Sequence, residues 1–364
     1  MNQKNKQNSD KKKNKKHLFQ KVKTVDKIFF TQNLAVLIKA GFSLSHALQT
    51  VSRQTKQKWF TQIIKKVSKN VEEGQSFANA LRKYEKIFGA LYINMIESGE
   101  VSGRLEQTLR ELVIQLKRSH TLLLKVRNAL AYPVIILLAM SVIGTGMVIF
   151  VLPKIVSVYK DATYALPLPT RIIMAFSDFV TKHGLVTIAI ILILVIVIFL
   201  LQKQEKVKLP LHWLILRLPI FGVIVQEYNI ARFSRVFHSL ISTDIPIITS
   251  FQIITRTMQN RQYIQALQKA VPKLEQGIPI GQVLAEDNVL FPPTVIEMII
   301  VAEKSGALEE MTEEIAIHYE EEVSSALDGL SVLIEPVLML FLGAAVALIA
   351  VAVLLPMYSL VNVI

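Results

Sequence analysis

Glu100-Val101-Ser102-Gly103-Arg104-Leu105-Glu106 returns 203 residues later as Glu303-Lys304-Ser305-Gly306-Ala307-Leu308-Glu309. This stretch decides the fold, because the same shift holds on either side of it without a gap. Upstream it lays Phe30 on Phe233, Leu37-Ile38 on Leu240-Ile241, Gly74 on Gly277, Leu81 on Leu284, Phe88 on Phe291 and Met95-Ile96 on Met298-Ile299. Downstream it lays Leu130 on Leu333, Pro133-Val134 on Pro336-Val337 and Leu152-Pro153 on Leu355-Pro356. Glycine and proline have special backbone demands, and chance does not set so many of them on one diagonal over about 130 positions. The chain is one module used twice, each copy ending in a long apolar run. A repeat this large points to two like domains related by a pseudo-symmetry axis.

Composition places part of the chain in lipid. Of 364 residues, 52% are apolar, too many for ordinary soluble domains of this size. Cysteine is absent, which excludes disulfides, thiolate metal sites and a cysteine nucleophile. The net charge of +13 is concentrated at the N-terminus, where residues 1–27 carry ten lysines against Asp10 and Asp26. That tail cannot bury a core and is expected to be disordered. It lacks the apolar centre of a secretory signal, so it is expected to stay in the cytoplasm. Anionic lipid could attract it. Direct nucleic-acid binding is not expected, since no aromatic side chains stand among the lysines to stack on bases.

Three uncharged runs, 134–152, 185–201 and 337–355, are each long enough to cross a hydrocarbon core of about 30 Å. Pro153 and Pro356 are expected to close the first and third. Lysines and arginines flank the runs mainly on the N-terminal side of the first and the C-terminal side of the second, which puts the N-terminus inside. The expected order is a basic tail (1–27), a first cytoplasmic helical repeat (28–133), a span (134–152) and an extracytoplasmic loop (153–184). A second span (185–201), a second cytoplasmic repeat (202–336), a third span (337–355) and a short external tail (356–364) follow. The fold class is all-α, an integral membrane protein with two homologous cytoplasmic bundles, three transmembrane helices and an extracytoplasmic C-terminus.

Within the repeats, apolar residues recur at helical spacing. Leu105, Leu109, Leu112, Leu116, Leu123, Val126 and Leu130 form a stripe that reads as a packing seam on a helix running to Pro133. Short helices are expected to join at Gly41, Gly74, Gly89 and Gly99. The repeats differ in charge. Residues 104–127 carry six basic and two acidic residues, whereas 307–330 carry eight acidic and no Lys or Arg. Arg110, Lys117 and Arg118 stand where the second copy has Glu313, Glu320 and Glu321. Such faces could dock on one another, meet a partner such as a basic ATPase surface, or be solvated independently.

A search for chemistry finds little. There is no phosphate-binding glycine loop and no HExxH pair. His318 stands at helical spacing from Glu314 and Glu321, a weak metal-site pattern that an exposed charged face explains better; no metal or other cofactor is expected. No ionisable residue lies inside the three spans, which disfavours a permeation path or an intramembrane enzyme. Glu335 stands at the edge of the third. Gly343, Ala347 and Ala350 in the third span, with Ser141, Gly144 and Thr145 in the first, offer small faces for close helix approach.

The diagonal residues resemble the type II secretion F family: Glu72-Glu73-Gly74 with Leu81, Gly99 to Leu105, Tyr132-Pro133, Leu218 to Gly222, Gly277, Ala302 to Leu308 and Glu335-Pro336. Gly74, Glu100, Gly103, Pro133, Gly277, Glu303, Gly306, Glu335 and Pro336 are its motif positions here, over about residues 28–360. Asp244 in place of Gly41 and Ala302 in place of Gly99 depart from the internal pattern, at what are expected to be helix–helix turns. The resemblance implies a non-enzymatic platform in the inner membrane. It would connect a cytoplasmic assembly ATPase to pilin-like subunits and act with further copies of itself. The compact chain looks most like the competence pseudopilus version from Gram-positive bacteria, with type II secretion and adhesive pili as alternatives. The helix from Gly103 into the first span would serve as a stiff lever.

Overall fold

The computed structural model describes residues 22–147, 150, 210, 213, 214, 216–219 and 221–361. The expected second span (185–201), the loop before it and the lysine tail to residue 21 lie outside the described residues. Among those described, the protein is all-α. The first repeat gives α1 (Thr24–Lys39), α2 (Leu44–Gln54), α3 (Lys58–Glu72), α4 (Phe77–Arg82), α5 (Glu85–Phe88), α6 (Ala90–Val101) and α7 (Leu105–Gly146). The second gives α8 (Phe221–Ile241), α9 (Ile247–Thr257), α10 (Arg261–Glu275), α11 (Ile280–Leu284), α12 (Pro293–Ser305) and α13 (Leu308–Val361).

The described residues fall into two compact units, one drawn from Met1–Leu122 and Pro219–Glu321, the other from Leu123–Leu218 and Glu322–Ile364. The first unit holds the short helices of both repeats. Each repeat closes on an aromatic core. Phe30 packs on Phe60 and Phe88 at ring separations of 5.6 and 5.9 Å. At the matching place Phe233 packs on Phe291 at 5.2 Å, and Tyr263 on Phe291 at 5.5 Å. Tyr263 replaces Phe60 without leaving a bare hydroxyl, since Oη donates to the Leu290 carbonyl at 2.7 Å. Edge-on aromatic contacts add to the area these rings remove from water. Burial pushes the Tyr263 and Tyr92 hydroxyls above their ordinary range.

The turns follow the glycines, with one correction. Gly41, Gly74 and Gly89 join helices at φ 87°, 88° and 89°, conformations that a Cβ penalises. Gly99 is not a joint: it lies inside α6, and Gly103, at φ 72°, makes the turn into α7. Gly99 is small for a different reason, since a Cβ built on it would stand 2.7 Å from Thr108 Cβ on α7. Ala302 is likewise within α12, not at a turn. Asp244 does occupy the turn matching Gly41, and keeps its left-handed geometry at φ 58°. Among the described residues it is the one non-glycine at positive φ.

The second unit is described through the ends of α7 and α13. Both helices are long and apolar enough to cross a membrane. Neither stops at its internal proline: α7 continues through Pro133 to Gly146, and α13 runs through Pro336 and on past Pro356 to Val361. Pro356 therefore does not close the third run, although it removes one N–H from the last turns of the helix. The leucine seam on α7 is buried at Leu109 and Leu112, but Leu123 and Leu130 are exposed. Among the described residues most of that later part is uncovered, which suits apolar surroundings rather than water.

Candidate functional site

The motif glutamates are the most strongly built polar features of the first unit. Glu100, near the end of α6, reaches back to the start of α4 and accepts from the backbone amides of Phe77 (2.7 Å) and Ala78 (3.1 Å). Glu303 on α12 does the same at the start of α11, accepting from Ile280 (2.9 Å) and Gly281 (3.4 Å). A helix N-terminus leaves such amides without partners and carries partial positive charge, so a carboxylate there satisfies both demands. Gly74 and Gly277 make the turns that lead into these helices, and Gly103 and Gly306 (φ 76°) release the chain into α7 and α13. The motif spacing is thus a recipe for clamping a short helix against the root of a long one.

A second group of buried polar side chains begins inside the second repeat and extends into the contact between the repeats. Arg235, on α8, has a side chain only 4% exposed. Its guanidinium holds Glu320 of α13 through Nε (2.9 Å) and Nη2 (3.1 Å), with Glu313 at 3.9 Å. Arg118 of α7 approaches the same Glu320 at 3.4 Å. Nearby, Ser239 Oγ lies 3.3 Å from both Glu111 Oε1 and Gln115 Oε1. At the far end, Ser98 Oγ donates to the Thr243 carbonyl at 2.7 Å, and Arg104 pairs with Asp244 at 2.7 Å. The strained turn at Asp244 therefore sits where the two repeats touch.

Other predicted residues are placed differently. Arg110 pairs with Glu106 on its own helix. Lys117 and Glu321 are exposed, so of the two charge faces Arg118 and Glu320 are the residues brought together. Glu314, His318 and Glu321 are exposed along α13, and among the described residues no three His, Asp or Glu are placed to hold a metal ion. Pro133 is buried, whereas Glu335 and Pro336 are exposed. Among the described residues a Cβ added at Gly144 or Gly343 would meet nothing within 4 Å, and Ala347 is exposed.

Two residues have partners that the sequence does not show. Arg235 is one; it is the single Lys or Arg in the stretch Phe233 to Ile241, and its counterpart Gln32 gives no hint of a partner. The other is Glu72, which gathers Gln49, Ser45 and Ser68 at 2.7, 3.0 and 3.1 Å, ties α2 to α3, and borders an open hollow with Arg53, Lys65 and Lys69. The Gln49 hydrogen bond, followed by those from Ser45 and Ser68, holds its carboxyl below the ordinary range.

Comparison with known proteins is consistent across both repeats. Residues 30–153 and 233–356 each match the family model described as type II secretion system (T2SS), protein F. The chain is 32% identical over 337 residues to the type IV pilus assembly protein PilC of Thermus thermophilus, covering 93% of this chain and 83% of that one. It is 30% identical over 345 residues to PilC of Pseudomonas aeruginosa, covering 94% and 92%. It is 29% identical over 335 residues to the type II secretion system protein F of the same organism, covering 92% and 82%.

Proposed function

The chain belongs to the type II secretion system protein F family, and from that membership we propose that it is a non-enzymatic membrane platform. In this reading it couples a cytoplasmic assembly ATPase to the polymerisation of pilin-like subunits. The observation that carries the proposal is the extent of the family match, which takes in both repeats and their apolar run-outs. Relatives alike over nearly the whole chain bear the names of pilus-assembly and secretion proteins. The polar chemistry also suits the role. Glu100, Glu303 and Arg235 are spent on holding helices to one another, and a body that passes motor motion to the membrane needs stiff joints.

The topology that goes with this reading puts the N-terminus and both repeats (28–133 and 202–336) in the cytoplasm. Segments 134–152, 185–201 and 337–355 cross the membrane, and the C-terminus lies outside. The lysine-rich N-terminus supports that orientation. The machine we assign is a competence pseudopilus for DNA uptake; the names of the relatives favour, as a second reading, a type IV pilus or a type II secretion system. A clean deletion strain tests all three. Loss of DNA uptake, with the ATPase and unassembled pilin-like subunits still made at normal levels, is the expected result. Loss of surface pili or of secreted enzymes with uptake intact selects the second reading. Normal assembly of every such filament overturns the platform proposal.

A further inference from the structure

Equivalent helices of the two repeats meet unequal fates. Between Asn229 and Leu240, α8 is buried on almost every side. Its counterpart α1 buries only Phe30, Thr31, Leu34 and Ala35. The uncovered side of α1 is nonetheless largely apolar: Val25 and Val36 are 55% and 59% exposed and Phe29 is 45% exposed around the exposed Gln32, and Phe42, just past the helix, is 45% exposed. A helix that leaves such apolar side chains uncovered has a face suited to a partner.

What covers α8 is known. Ser239 and Thr243 lie under Gln115 and Ser98 of the first repeat, on α7 and α6. The same shift of 203 residues turns Ser239 and Thr243 into Val36 and Ala40, and turns Gln115 and Ser98 into His318 and Val301. All four of these are exposed, Val301 by 57%. Among the described residues the contact between the repeats is therefore made once, and its other half is left open on both sides. A two-fold axis would have made the contact reciprocal, so the pseudo-axis relating the two repeats is not a two-fold. A contact that is not reciprocal joins the head of one unit to the tail of the next, and such contacts repeat from copy to copy.

We propose that the open face of the first repeat, centred on Val36 and Phe42, is occupied by the α12–α13 face of a second copy of this chain, centred on Val301 and His318. The interface between chains then repeats the one within each chain. Charge agrees with the pairing: Lys23 and Lys39 are exposed at the two ends of α1, while Glu310, Glu314 and Glu321 are exposed along α13. The inference rests on the contact pattern and is independent of the machine the protein serves.

The Cys-free chain allows a direct test in membranes holding two differently tagged full-length copies. Ala40→Cys in one copy and Val301→Cys in the other should give a crosslinked dimer with a short bifunctional reagent, while either variant alone should give none. Ser98→Cys with Thr243→Cys in one chain is the control, giving a product that runs as a monomer and reporting a folded first unit. Adding Val36→Glu to the Ala40→Cys copy should cut the dimer by roughly tenfold, since a carboxylate would have to be desolvated there. Three results overturn the proposal. One is a mixed pair without dimer while the control reacts. Another is a dimer from Ala40→Cys alone, which marks a symmetric contact. The third is capture of Ala40→Cys by its own chain or by a different protein, which gives the face another occupant.

Discussion

Gly281 and Ile300 face each other where the first repeat has Ala78 and Glu97. A Cβ built on Gly281 would run into Ile300 Cγ1, whereas Ala78 fits because Glu97 turns away to pair with Arg82. Another close approach is found between α6 and α7, where Gly99 makes room for Thr108; the matching positions of the second copy are Ala302 and Met311. Each repeat has settled its own small-against-large pairs, as close packing requires. We expect Gly281→Ala to cost about 1–3 kcal/mol by overpacking. Ile300→Ala removes the obstructing Cγ1, so the double variant should be more stable than the sum of the two single costs. Thermal unfolding of the purified protein measures this; simple additivity would mean the backbone yields instead of the side chain.

At the scale of elements, the helices themselves were legible. The paired starts of α2 and α9, and of α3 and α10, fall on the same diagonal as the motif residues. What the motif glutamates hold was not legible, because the amides of Phe77 and Ile280 carry no side-chain signature. Nor did charge alone reveal that Glu320 belongs first to Arg235 of its own repeat and only secondarily to Arg118. A reversal that places Lys at 320 to meet Glu at 118 would therefore fail, since it sets a lysine against the buried guanidinium. Glu320→Gln or Arg235→Ala should destabilise the first unit by about 3–5 kcal/mol, the usual cost of leaving one member of a buried pair alone. Arg235→Met with Glu320→Leu should recover most of that loss, and chemical denaturation of the solubilised protein distinguishes the two cases. Arg118→Ala should be nearly silent, since the Arg118 side chain is 49% exposed and an exposed ion pair contributes little.

For the whole molecule, the sequence disclosed the duplication but not its asymmetry. Val36 and Ser239 are equivalent by position, and nothing in their neighbours says that the serine is covered and the valine open. The hydrophobic pattern even misleads, because the more apolar residue is the exposed one. Only the way the repeats pack resolves this, and it gives the two positions opposite roles. Ser239→Glu would force a carboxylate into a buried site already occupied by Glu111 and Gln115. A buried like-charge contact of this kind should cost several kcal/mol and lower the unfolding midpoint sharply. Val36→Glu places its charge on an exposed face of the single chain, where such changes stay within about 0.5 kcal/mol. The comparison belongs at low protein concentration in detergent, where mass action from copy-to-copy contact contributes least to the midpoint. A midpoint that drops equally for both variants would mean that Val36 is covered within its own chain, and the asymmetry of the two repeats would not hold.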